Sequence, residues 1–99
     1  MKTMVQNSSI HGRGLFSSTE IKEGEHIGTF EGIPAKRNNK YILWLEEEKG
    51  LIPYRIINEM KYANHSTSPN AELDGLNMFA TKRIFIGEEI TFHYGSDWS

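Results

Sequence analysis

Residues Lys61 to Leu73, KYANHSTSPNAEL, gather two asparagines, a histidine, two serines and a proline into one short stretch. These side chains bury little apolar surface. They offer amide, imidazole and hydroxyl groups, the inventory from which a hydrogen-bonding ligand site is built. Asn, Ser and Pro are also turn formers, so taken alone Asn64-His65-Ser66 fits an Asx or Ser turn closed by Pro69-Asn70 equally well. Three further stretches add chemistry: HGRGLF at His11 to Phe16, TFEGIP at Thr29 to Pro34, and GEEITFHYGSDW at Gly87 to Trp98. Gly12 and Gly14 permit a backbone to pass close to a ligand. Tyr94 offers a phenol, and Phe92 stands two residues before it, on the same face if the segment is a strand.

The surrounding elements read as short extended pieces separated by turns. Strands are expected at Gly14–Ser17, His26–Phe30, Tyr41–Leu45, Leu51–Ile57, Ala71–Leu73, Asn77–Thr81 and Glu89–Phe92. Asp74-Gly75 is the sharpest hairpin signal, because a tight two-residue turn requires positive φ. The apolar block within KYILWLEEEKG is too short for its period to separate strand from buried helix; it is read as the first strand of a hairpin turning near Lys49-Gly50. Two segments echo each other. LFSSTEIKEGEHI, from Leu15 to Ile27, aligns with MFATKRIFIGEEI, from Met78 to Ile90, matching Phe16 to Phe79, Ile21 to Ile84, Gly24 to Gly87, Glu25 to Glu88 and Ile27 to Ile90. Either two equivalent strand-turn-strand units pack about a pseudo-twofold axis, or the shared spacing is a common way of turning between strands.

A length of 99 residues is that of one domain, here 1–99, with room for one core and one site. Hydrophobic residues make up 37% and charged residues 24%, a globular composition without the roughly 18-residue apolar run of a membrane span. The start MKTMVQNSS has no apolar h-region, so a cytoplasmic address is the default expectation. Cysteine is absent, which removes disulfides, thiol nucleophiles and Cys-based zinc frameworks. The four histidines lack short ligand spacing, so no metal is expected. A net charge of −2 offers no basic footprint for nucleic acid. The run Glu46-Glu47-Glu48, with Glu72 and Asp74, would suit a basic partner, though charge runs are usually solvated faces.

Taken together and in order, Gly12-Arg13-Gly14 with Leu15-Phe16, Phe30-Glu31-Gly32, Asn64-His65-Ser66 with Pro69-Asn70, and Gly87-Glu88-Glu89-Ile90-Thr91-Phe92-His93-Tyr94-Gly95 resemble the SET domain of protein lysine methyltransferases. The resemblance implies an all-β, β-clip fold of short curved strands whose C-terminal segment threads the Asn64–Asn70 loop in a knot-like arrangement. It implies methyl transfer from S-adenosylmethionine to a lysine side chain, with Gly12, Arg13, Gly14, Asn64, His65, Tyr94 and Trp98 at the cofactor. Tyr94 would be the catalytic residue, positioning the methyl and the amine rather than acting as a base. Phe30, Phe92 and Leu73 would contact the substrate lysine, Phe92 occupying a place where phenylalanine in relatives permits more than one methyl addition.

The chain also departs from the family pattern. Phe30 stands where tyrosine is frequent, Thr67 where cysteine is frequent, and His93 where aspartate is frequent; alternation along the strand points His93 to solvent. No Cys-rich zinc segment follows Tyr94, only Gly95-Ser96-Asp97-Trp98-Ser99. Closure of the lysine channel would fall to Trp98 or to a second copy of the chain in a homodimer. The partner implied is a lysine-containing, basic protein or peptide, bound by strand addition, with no nucleic acid and no membrane. The rival from another class is a non-enzymatic β-clip-like binding module, since fold alone does not fix function.

Overall fold

The structure, a computed structural model, describes residues 2–34, 42–47 and 50–93. Ten strands and one short 3-10 helix, Glu59–Tyr62, make up its regular structure. β1 (Thr3–Asn7), β2 (Arg13–Ser17) and β3 (His26–Thr29) form a first unit, and β8 (Ala71–Asp74), β9 (Asn77–Ala80) and β10 (Glu89–Phe92) form a second. Between them lie β4 (Gly32–Pro34), β5 (Ile42–Glu47), β6 (Gly50–Ile56) and the two-residue β7 (Asn64–His65). All seven expected strands are present within a residue or two of their expected bounds. Tyr41, the first residue of one of them, lies outside the described residues.

The echo between the two segments is a true structural repeat. Ile21 and Ile84 face each other across an isolated antiparallel bridge, exchanging N–H···O bonds of 2.9 and 2.8 Å. The backbone bonds of the two turns beside them occur twice at the same offset. Ser17 N–H donates to the Glu88 carbonyl (2.9 Å) as Ala80 N–H donates to that of Glu25 (3.0 Å). Gly87 N–H donates to Ser17 (2.9 Å) as Gly24 N–H donates to Ala80 (2.8 Å). One side-chain bond repeats as well: the Glu25 carboxylate accepts from Lys22 N–H at 3.1 Å, and the Glu88 carboxylate from Phe85 N–H at 2.7 Å. Gly24 and Gly87 hold φ of +82° and +86°, a conformation that L side chains rarely adopt, which is why both turns carry glycine.

The core is the contact between these two units. Leu15, Ile21, Met78, Ile84 and Ile90 are fully enclosed, and Leu15 with Met78, Ile21 with Ile84, and Ile27 with Ile90 are counterparts across the axis. Enclosing such a side chain is worth about 1.5–3 kcal/mol, so a handful of paired residues carries much of a small domain. The main sheet runs β1-β2-β10-β8-β9-β3, with β7 added to β10. β8 and β9 form the expected hairpin, Asp74 opposite Asn77, with Gly75 at φ +62° in its turn. A separate three-stranded sheet, β4-β6-β5, brings Glu47 opposite Gly50, as the hairpin reading requires.

Candidate active site

β10 lies where the two ends of the Asn64–Asn70 loop meet. It runs parallel to β7, Thr91 opposite Asn64 and Phe92 opposite His65, and parallel to β8, Phe92 opposite Ala71. Parallel strands need a crossover rather than a tight turn. Here the crossover is the loop itself, which leaves along β7 on one side of β10 and returns as β8 on the other. Asn70 holds it closed: its buried amide accepts from Thr91 N–H (2.9 Å) and donates to the Glu89 carbonyl (2.8 Å). Ser66 N–H donates to the Phe92 carbonyl at 3.0 Å, and Ser68 N–H to the Ser66 hydroxyl at 3.0 Å. The loop therefore contains the Ser turn its residue types suggest, and it also wraps β10. Passage of the chain beyond His93, where a knot would be completed, lies outside the described residues.

One side-chain cluster ties this loop to the Gly-x-Gly turn. The Asn64 Nδ2 group donates to the carbonyls of His11 and Arg13, both at 3.2 Å, and to Glu89 Oε2 at 2.9 Å. The Ser8 hydroxyl meets both carboxylate oxygens of Glu89 at 2.8 Å and accepts from Ile10 N–H at 2.9 Å. Gly12 turns the chain at φ +45°, with open space where a Cβ would stand. Gly14 is different: a Cβ there would lie 2.4 Å from Glu89 Oε2. The group that approaches position 14 most closely is a carboxylate of the same chain, with the Ser8 Cβ 3.0 Å from where a Cβ would stand.

Gly12, Arg13, Gly14 and Asn64 thus meet in one place, as expected. Arg13 contributes its carbonyl, its side chain being exposed. His65 is adjacent, half-buried, with its ring centroid 4.6 Å from that of His93 at a tilt of 52°. His93 is exposed, in line with its expected outward direction, yet it leans on His65 rather than standing clear of the loop. Phe30 and Phe92 are buried together edge to face, centroids 6.1 Å apart. Leu73 packs half-buried against the core on β8. Tyr94 and Trp98 lie outside the described residues. Among the described residues no group of three or more histidine or carboxylate side chains is placed to hold a metal.

The sequence profile of the SET domain matches residues 12–95. This chain belongs to the SET domain family. The Arabidopsis thaliana histone-lysine N-methyltransferase MEDEA is 28% identical over 99% of this chain, which covers 18% of that protein. The human histone-lysine N-methyltransferase 2B is 30% identical over 91% of this chain and 4% of that protein. The chain therefore spans less than a fifth of the length of these relatives. Among solved structures, ctPRC2 in an autoinhibited conformation bound to S-adenosylmethionine aligns with a TM-score of 0.79 at 26% identity, covering 94% of this chain and 15% of that one. A crystal structure from Plasmodium falciparum, PFL0690c, aligns at 0.73 and 26%, covering 98% of this chain and 96% of that one.

Within this SET domain, reasoning from sequence missed Ser8 and Glu89. Both were visible as types but not as partners, since 81 residues separate them. The usable signal lies in the repeat: Glu89 aligns with His26 and Gly14 with Asn77, so the two units differ where the site is built.

Proposed function

We propose that this chain transfers the methyl group of S-adenosylmethionine to the side-chain amine of a lysine in a protein substrate. The observation carrying this reading is the meeting of the Gly12–Gly14 turn with Asn64-His65 on the edge of β10, in a chain similar over nearly its whole length to a structure bound to that cofactor. The local chemistry fits an amino-acid moiety. Asn64 Nδ2 is engaged by three acceptors, one of them the Glu89 carboxylate, which leaves Oδ1 as the acceptor the amide has to offer a ligand. An acceptor backed by negative charge suits an ammonium group, and the open side of Gly12 leaves room for a ligand against the backbone.

When bound, S-adenosylmethionine would supply a methyl on a sulfonium: a neutral amine would bond to that methyl in line as the carbon–sulfur bond breaks, with S-adenosylhomocysteine leaving and the positive charge passing to the methylated nitrogen. The chain's own task is alignment and electrostatics. Asn64 and the Gly12–Gly14 turn hold the cofactor's amino-acid part, and His65 its neighbouring portion. The buried Phe30–Phe92 pair supplies an apolar wall that favours the uncharged form of lysine, whose free pKa is about 10.4. Tyr94 follows directly on His93 and is the residue we assign to orienting the amine and methyl. Trp98, or a second copy, closes the channel. The relatives' names point to a basic, histone-type substrate, which the chain's net charge of −2 suits.

Calorimetric titration with S-adenosylmethionine and S-adenosylhomocysteine tests the cofactor, and transfer of labelled methyl to a histone mixture tests the acceptor. Tyr94→Phe should retain cofactor affinity within about twofold and lose transfer by about 10² or more. Saturable binding by neither ligand would leave a binding module as the better description.

A further inference from the structure

We infer that Glu89 is a positioning residue for the ligand site, and that Gly14 is glycine in order to admit it. The inference rests on the reading of Asn64 as a ligand-binding residue. An asparagine amide can sit in either of two orientations, and only its partners decide which. Around Asn64 three acceptors converge on one end: two carbonyls and a carboxylate oxygen. Rotating the amide by half a turn would set Oδ1 against all three, oxygen facing oxygen. Glu89 is the charged member of that set, so it contributes most to the preference. The consequence is that the orientation of the amide, and with it the position of Oδ1, is set before any ligand arrives.

Glu89 is itself held from two directions. Its main chain pairs with Phe16 on β2, and its carbonyl accepts from Asn70. Its carboxylate occupies the space over Gly14, and Ser8 donates to it from the end of β1. Ser8 at the same time accepts from Ile10 N–H at 2.9 Å, so the carboxylate, the residue 8–12 turn and Asn64 set one another's geometry. A methyl at position 14 would displace the carboxylate without altering Glu89 or Asn64. This gives two independent ways of breaking one lock.

The test uses the full chain, with the Asn64 side-chain amide followed by NMR and S-adenosylhomocysteine affinity by calorimetry. Glu89→Gln and Gly14→Ala should each shift the Asn64 Nδ2 resonances in the ligand-free protein and speed their exchange. Each should also weaken S-adenosylhomocysteine by about tenfold. Ser8→Ala, which removes both hydroxyl contacts while leaving the carboxylate, should move both readouts in the same direction and less; it also serves if either other variant fails to fold. An Asn64 amide that stays unchanged in folded variants overturns the inference. So does an amide that moves while affinity holds, because the fixed orientation would then serve no ligand. If the unmodified chain binds no S-adenosylhomocysteine but its Asn64 amide responds as described, the cofactor reading fails and the lock stands.

Discussion

The two units of the repeat share the turn hydrogen bonds around Ile21 and Ile84, yet of the two symmetry-related places where they face each other only one carries the candidate site, where the 12–14 turn of the first unit meets Glu89 of the second. Around the axis they are interchangeable: Ile21 against Ile84, the Gly24 turn against the Gly87 turn, Leu15 against Met78. They part company at the third strand. Among the described residues β3 pairs with β9 alone, whereas β10 has β2, β8 and β7 as neighbours. They differ too at one facing pair. At one place His26 of the first unit bonds Asn77 Oδ1 of the second at 3.1 Å in an exposed cluster with Thr29; at the other, Glu89 of the second unit occupies the space over Gly14 of the first and reaches Ser8 and Asn64. Symmetry supplies the core, and departure from symmetry supplies the site.

The largest expected effect breaks both halves at once. Ile21→Ala and Ile84→Ala each empty a fully enclosed position and should each cost about 2–5 kcal/mol in urea unfolding. The repeat predicts that the two costs agree within about 1 kcal/mol; a wide gap would mean that one half carries the stability. Asn70→Ala should act on the second unit alone. It leaves the Thr91 N–H and the Glu89 carbonyl unpaired beside β10 and should cost about 1–3 kcal/mol. Faster amide exchange is expected in β10 with β3 unchanged, which a hydrogen-exchange experiment can read.

Gly24→Ala and Gly87→Ala sharpen the comparison further. Each turn has open space for a Cβ but a left-handed backbone, so each should lose about 1–2 kcal/mol from conformation alone. Equal losses in thermal unfolding support the equivalence of the turns. The smallest effect concerns Glu25, whose pKa is lowered by the hydrogen bond from the Lys2 ammonium and by the Lys22 backbone N–H. A lowered folded-state pKa means that the contribution is present above the ordinary carboxylate value of about 4.3 and is lost as pH falls through the lowered one. Among the described residues, Glu88 in the second unit makes no such ion pair. Lys2→Ala should therefore flatten a small acid-side stability slope, read by urea unfolding at a series of acidic pH values.

Much of the fold was legible because it is local. Alternating apolar residues and glycine turns mark seven strands, and the repeat could be aligned residue for residue. What escaped reading is held by distant partners. β1 has only Met4 and Val5 as apolar signal and is a strand because it pairs with β2. β4 is three residues ending in Pro34, and β7 is two residues made extended by β10 running beside them. The same distinction governs the site. Gly12, Gly14 and Asn64 were visible through a motif, but the motif suggests that glycine 14 serves a ligand. The structure gives it to Glu89, a contact spanning 75 residues of chain that no local pattern announces.

The most direct test of the account is a map of backbone amide shifts on titrating the chain with S-adenosylhomocysteine. The account predicts changes at residues 11–14, 64–66 and 89–93, while the symmetry-related residues 26–29 and 74–77 stay silent. Changes at 26–29 and 74–77 equal to those at 11–14 and 89–93, or saturation with none at Asn64 and Glu89, would contradict the claim that broken symmetry makes the site.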